Sequence, residues 1–128
     1  MALTHLQFYL TKLAEEAVEV AQISLKTQQF GPEECMPGQP YNNFERCHQE
    51  LDDLNAMVQE LNNRFDFNYI PDPARIRAKM IKVRRYLDFS IAQGMVDGES
   101  VKGVHPDAGF TAPTGRKAPN LGQLPTLH

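Results

Sequence analysis

Residues 3–29 read LTHLQFYLTKLAEEAVEVAQISLKTQQ, with apolar side chains recurring at intervals of three and four. At about 100° per residue, Leu3, Leu6, Leu10, Leu13, Ala17, Val20 and Ala21 gather on one face of a wheel, which predicts a long amphipathic helix ended by Gly31-Pro32. Its apolar arc runs from Tyr9 round to Val18, about half of the wheel and wider than the ~100° stripe of a helix with one neighbour. The surplus predicts a dimer or higher oligomer; the alternative is a central helix covered on several sides within one chain.

Working outward, residues 31–42, GPEECMPGQPYN, hold three Pro and two Gly and form a loop. The helical period returns from Asn43 to Arg64, where Phe44, Cys47, Leu51, Leu54, Val58 and Leu61 share a stripe that Phe65 extends, with Asn42 or Asn43 as N-cap. DFNYIPDP breaks this helix, and Asp72 before Pro73 signals a third. That helix runs to about Gln93, burying Ile76, Met80, Val83 and Leu87, with Gly94 as its stop. No stretch alternates with period two and no repeat is visible, so the expected class is all-α: an antiparallel helical bundle of three long helices, completed by dimerisation.

The chain has 128 residues and a formal net charge of −3, sized for one domain. No apolar run approaches the ~18 residues of a membrane span, and the near-neutral charge argues against nucleic-acid binding by the whole surface, leaving only the basic third helix as a place for it. Cys35 and Cys47 make no CxxC pair, and the N-terminus lacks the basic region of a signal peptide, so a reducing, cytoplasmic setting is expected. Residues 94–128 hold six of the eight Gly and four of the nine Pro, with acids and bases balanced, which predicts an irregular C-terminal tail, disordered or an arm ordered only against another surface, beside a helical domain in residues 1–93.

The first helix carries Glu15, Glu16 and Glu19, the second Glu50, Asp52 and Asp53. Glu16/Glu19 and Glu50/Asp53 are each three apart, so both members of a pair project from one side. On the second wheel Glu50 lies inside the apolar stripe and Asp53 at its edge; on the first, Glu16 borders the apolar arc beside Tyr9. Carboxylates gathered along a helix seam repel and are desolvated unless protonated, paired with cations or bound to metal. Oxygen donors of this kind suit Mg²⁺ or Mn²⁺. Arg46, Lys12 or the bases of the third helix are the cations that would instead make them structural ion pairs.

LAEEAVEVAQ (13–22) followed by HQELDDLNAMVQEL (48–61) resembles the EExxE…ExxD signature of the MazG-like all-α nucleoside triphosphate pyrophosphohydrolases, which include the dimeric dUTPases. The resemblance covers the first two helices and, loosely, the third. It implies that Glu16, Glu19, Glu50 and Asp53 are metal ligands, with Glu15 on the first Glu of the motif. It further implies Mg²⁺-dependent cleavage of a (d)NTP to (d)NMP and pyrophosphate, a homodimer or homotetramer with a site completed between subunits, and a role in nucleotide-pool sanitation or adjustment.

The third helix carries six Lys or Arg from Arg75 to Arg85 and no acid between them. Arg75, Lys79 and Lys82 share a stripe; Lys79 and Lys82, with Lys12 and Lys26 on the carboxylate side of the first helix, are the candidate substrate-binding cations, suited to neutralising phosphate charge. The rival reading is a non-catalytic interaction module whose acids pair with these bases. His5, Asn62 and Asn63 are possible contacts to a nucleobase, and the four His show no zinc spacing.

Overall fold

Thr4 sets where the first helix begins. Its hydroxyl accepts from Gln7 N at 3.1 Å while the Gln7 side chain accepts from Thr4 N at 2.9 Å, a reciprocal cap that places the start of α1 (His5–Phe30) two residues after the first apolar position. In the computed structural model, which describes residues 1–98, two more helices follow: α2 (Asn43–Arg64) and α3 (Pro73–Ala92). Asn42 caps α2 by the same device with Glu45, and Asp72 caps α3 by accepting from Ala74 N and Arg75 N, with Pro73 in the first turn. There is no strand among the described residues, as the missing period-two pattern predicts. Residues 99–128, most of the expected arm, lie outside them.

The chain divides into two units, Met1–Ile70 and Pro71–His128. In the first, α1 and α2 pack as an antiparallel pair. The Tyr9 and Phe65 rings meet edge to face at 6.1 Å at one end, and Thr27 Oγ1 approaches Cys47 Sγ at 3.5 Å near the other. Leu61 is fully buried and Ile23 nearly so. The closing loop is tied at its base: Asn43 N donates to Glu34 O, Phe44 N to Pro32 O, and the buried Asn43 amide to Gly31 O at 2.9 Å. Gly31 ends α1 with φ of 94°, a backbone angle that L side chains rarely adopt.

The side of α1 that meets α2 is narrower than the apolar arc and lies at its edge. Tyr9, Leu13, Glu16, Val20, Ile23 and Thr27 are buried or half-buried, whereas Leu3, Leu6, Leu10, Val18 and Leu25 are exposed. On α2, Phe44 and Leu51 of the predicted stripe are likewise exposed. Wheel phases put these uncovered residues on the same side of the pair. All five Lys, Asp and Glu of α1 (Lys12, Glu15, Glu16, Glu19, Lys26) fall within about 100° of arc, away from that side.

In the second unit Gln93 caps the C-terminal end of α3, after which Gly94, with φ of 73°, turns the chain so that Met95 N donates to Ser90 O. Ile76, Val83 and Leu87, expected to be buried, are exposed along α3.

Candidate functional site

Antiparallel packing brings the acidic turn of α1 opposite that of α2. One carboxylate oxygen each from Glu16, Glu50 and Asp53 can be chosen so that all three lie within 4.8 Å of one another. Glu16 and Glu50 are half-buried in the seam and Asp53 is exposed at its rim. Two opposite ligands of Mg²⁺ stand about 4.2 Å apart, so small side-chain rotations would close this triad on an ion of that size.

Within residues 1–70, no cation closes an ion pair with Glu16, Glu19, Glu50 or Asp53; the pairs formed there are Lys12 with Glu15 at 2.9 Å and Arg64 with Glu60 at 2.6 Å. The strain registers on Glu50, whose carboxyl is held above the usual Glu range by burial, then by the nearby charges of Asp53, Glu19 and Glu16, against which Arg46 pulls only partly back. The seam therefore holds negative charge that its cations offset only in part.

Glu19 stands beside the triad, lining with Glu50 a small cleft of about 70 Å³ shared with Gln22, Ile23, Lys26 and Arg46. Glu15 is bound to Lys12, and the Lys12 ammonium also sits 5.6 Å from the centre of the Phe8 ring. Lys79 and Lys82 are on α3, in the other unit, where they border a shallow surface depression with Arg75 and Ala78. Asn62 is occupied structurally: its amide donates to Tyr69 O at 3.0 Å and accepts from Tyr69 N at 2.8 Å, closing the turn in which Asn68 takes a positive φ.

Arg46 and Lys26 were identifiable from sequence as cations near the acids; their convergence on Met36 was not. Lys26 Nζ lies 3.9 Å and Arg46 Nη1 4.0 Å from Met36 Sδ, a meeting created by the loop folding back over the end of the seam. Comparison with models of known protein families, with curated proteins and with solved structures finds no match to this chain. No helix among the described residues is long and apolar enough to cross a membrane.

Proposed function

We propose that the protein is a Mg²⁺-dependent nucleoside triphosphate pyrophosphohydrolase that converts a (d)NTP to the (d)NMP and pyrophosphate. The observation that carries the reading is the convergence of Glu16, Glu50 and Asp53 across the seam without a cationic partner within residues 1–70. Charge repulsion at this density disfavours the bare arrangement, so a site that keeps it is suited to a cation from solution. Glu16, Glu50 and Asp53 would hold the ion, with Glu19 adjacent. When bound, a divalent ion supplies neutralising charge for phosphate oxygens and lowers the pKa of water at neutral pH. A carboxylate left out of coordination, Glu19 by position, would accept the proton of the attacking water. The EExxE…ExxD spacing, which resembles that of the MazG-like enzymes, points to the same chemistry.

Two copies associate through the uncovered side of the helix pair. That side presents Leu6, Leu10, Ala17 and Ala21 of α1 with Phe44 and Leu51 of α2, and bears no Lys, Arg, Asp or Glu. Without basic residues it has nothing to attract an anionic surface, whereas a second copy offers the same uncharged face. Two helices abreast, about 33 Å long and 20 Å wide together, offer about 650 Å² per copy, close to the ~800 Å² of a stable interface.

The purified protein releases pyrophosphate from at least one member of a panel of natural and modified NTPs and dNTPs, only with Mg²⁺ or Mn²⁺ present. Asp53→Asn and Glu50→Gln lose at least about a hundredfold in kcat while retaining helical circular dichroism. A folded protein inert toward the whole panel, with or without metal, would defeat the enzyme reading in favour of a binding module.

A further inference from the structure

We infer that Lys26 and Arg46 form a binding site for the oligophosphate tail of the ligand, occupied in its absence by the Met36 thioether. Both side chains are half-buried and border the cleft that also contains Glu19 and Glu50. Among the described residues neither closes an ion pair, although two carboxylates share the cleft with them. Their hydrogen-bonding heads turn to a neutral sulfur, at 3.9 and 4.0 Å. A thioether is a weak acceptor and leaves most of the donor capacity of an ammonium and a guanidinium unused.

Phosphate answers that deficit with the right dimensions. Both heads touch one atom, so they stand no more than about 8 Å apart. A phosphoryl group that accepts from each at about 2.8 Å, across an oxygen–oxygen edge of about 2.5 Å, spans that separation. The planar Arg46 guanidinium can grip two oxygens of one phosphate while Lys26 meets a third. Charge balance gives the direction of binding. A divalent ion at the triad would offset two of the four carboxylate charges gathered there, and the positive charge of the cleft lies with Lys26 and Arg46, so the phosphates furthest from the scissile bond would extend from the seam toward residues 26, 36 and 46. Met36 belongs to the closing loop and leaves the cations when phosphate arrives, so the loop reports occupancy. This inference rests on the nucleotide reading above for what lies at the seam, but the cation pair is testable alone.

The test is calorimetric titration of the full chain with inorganic tripolyphosphate, with and without Mg²⁺, beside Mn²⁺ titration followed by electron paramagnetic resonance without phosphate. Lys26→Met and Arg46→Met, which keep the aliphatic bulk, each weaken tripolyphosphate binding at least about tenfold and bind Mn²⁺ no more weakly than the parent. Met36→Ala binds tripolyphosphate as tightly as the parent or more tightly. In the unaltered protein, saturating tripolyphosphate protects Lys26 from acetylation, read by mass spectrometry, so a folding defect in either variant leaves the site testable. Unchanged tripolyphosphate affinity in both variants, or no protection of Lys26, overturns the cation site. Loss of Mn²⁺ binding with tripolyphosphate binding intact would instead overturn the metal reading and leave this one standing.

Discussion

The side-chain amide of Asn43 donates to the Glu34 carboxylate at 2.8 Å, from a position with no exposure to solvent. With its second bond, to Gly31 O, it ties the first residues of the closing loop to the first turn of α2, two residues before Met36. Asn43 Oδ1 is buried without a partner, a cost the two donated bonds must offset. Asn43→Ala is expected to lose about 1–3 kcal/mol of stability, since it strands the Gly31 carbonyl and the Glu34 carboxylate. Urea unfolding measures the loss; a change under about 0.3 kcal/mol would show that the clamp is dispensable.

Removing a carboxylate from the seam is expected to stabilise the metal-free protein, the reverse of an ordinary core substitution. Glu50→Gln removes the charge whose burial, and then whose repulsion by Asp53, Glu19 and Glu16, holds the Glu50 carboxyl high. A native-state pKa above the unfolded one means the folded chain keeps a proton that the unfolded chain has already released. Stability is therefore lost as pH rises from the ordinary Glu range through the raised value, and regained on acidification. With chelator present, Glu50→Gln unfolds at higher urea than the parent at pH 7.5, and the gap shrinks toward pH 5. A parent more stable than the variant at both pH values would contradict it.

Adding Mg²⁺ or Mn²⁺ is expected to reverse that order at neutral pH. A ligand held only by the folded state stabilises by about 2.7 kcal/mol at a hundred times its dissociation constant. The thermal midpoint of the parent rises with metal concentration, that of Asp53→Asn barely moves, and calorimetry with and without EDTA checks both.

Leu61 is the most deeply buried apolar residue of the helix pair. Leu61→Ala is expected to cost about 2–5 kcal/mol, the range for a core leucine replaced by alanine. Leu51→Ala, at an exposed position, is expected to leave the isolated pair unchanged and to weaken self-association instead. Chemical unfolding and sedimentation equilibrium separate the two effects.

Placing a charge on the uncharged side is expected to dissociate copies without unfolding them. Ala17→Glu lies away from α2, so helical circular dichroism is retained while the sedimentation mass falls to that of one 14.5 kDa chain. A parent that already sediments at that mass at millimolar concentration would rule out the proposed association.

Helix limits were legible because their signals are local. Asp72-Pro73 and Asn42 act on backbone groups within three residues, and each lies where the sequence places it. The start of α1 was less so: Leu3 continues the apolar phase, but the Thr4–Gln7 exchange outside the periodic pattern decides the boundary. The carboxylate seam was legible through phase, since three-residue spacing and Glu50 inside the stripe already imply an inward acid. What phase could not supply is which part of a half-wheel of apolar residues α2 covers. Leu6 and Leu13 are equivalent on the wheel, yet Leu6 is left exposed while Leu13 is half-buried. Nor could it bring Lys26 and Arg46 onto Met36, because that meeting depends on the path of a Pro/Gly loop whose tertiary bonds have no periodic signature.

The closed base of that loop has a consequence for how the gene can change. Gly31, Pro32 and Glu34 are bonded to Asn43 and Phe44, so residues 35–41 hang from a fixed root. Codons gained or lost there would alter what overhangs the cleft while Glu16 and Glu50 stay in phase. One codon added between Glu16 and Ile23 would turn the acid by about 100° relative to its buried anchor and dismantle the seam at a stroke. The interval between the two acidic motifs is thus free to drift in length at its centre and frozen at its ends.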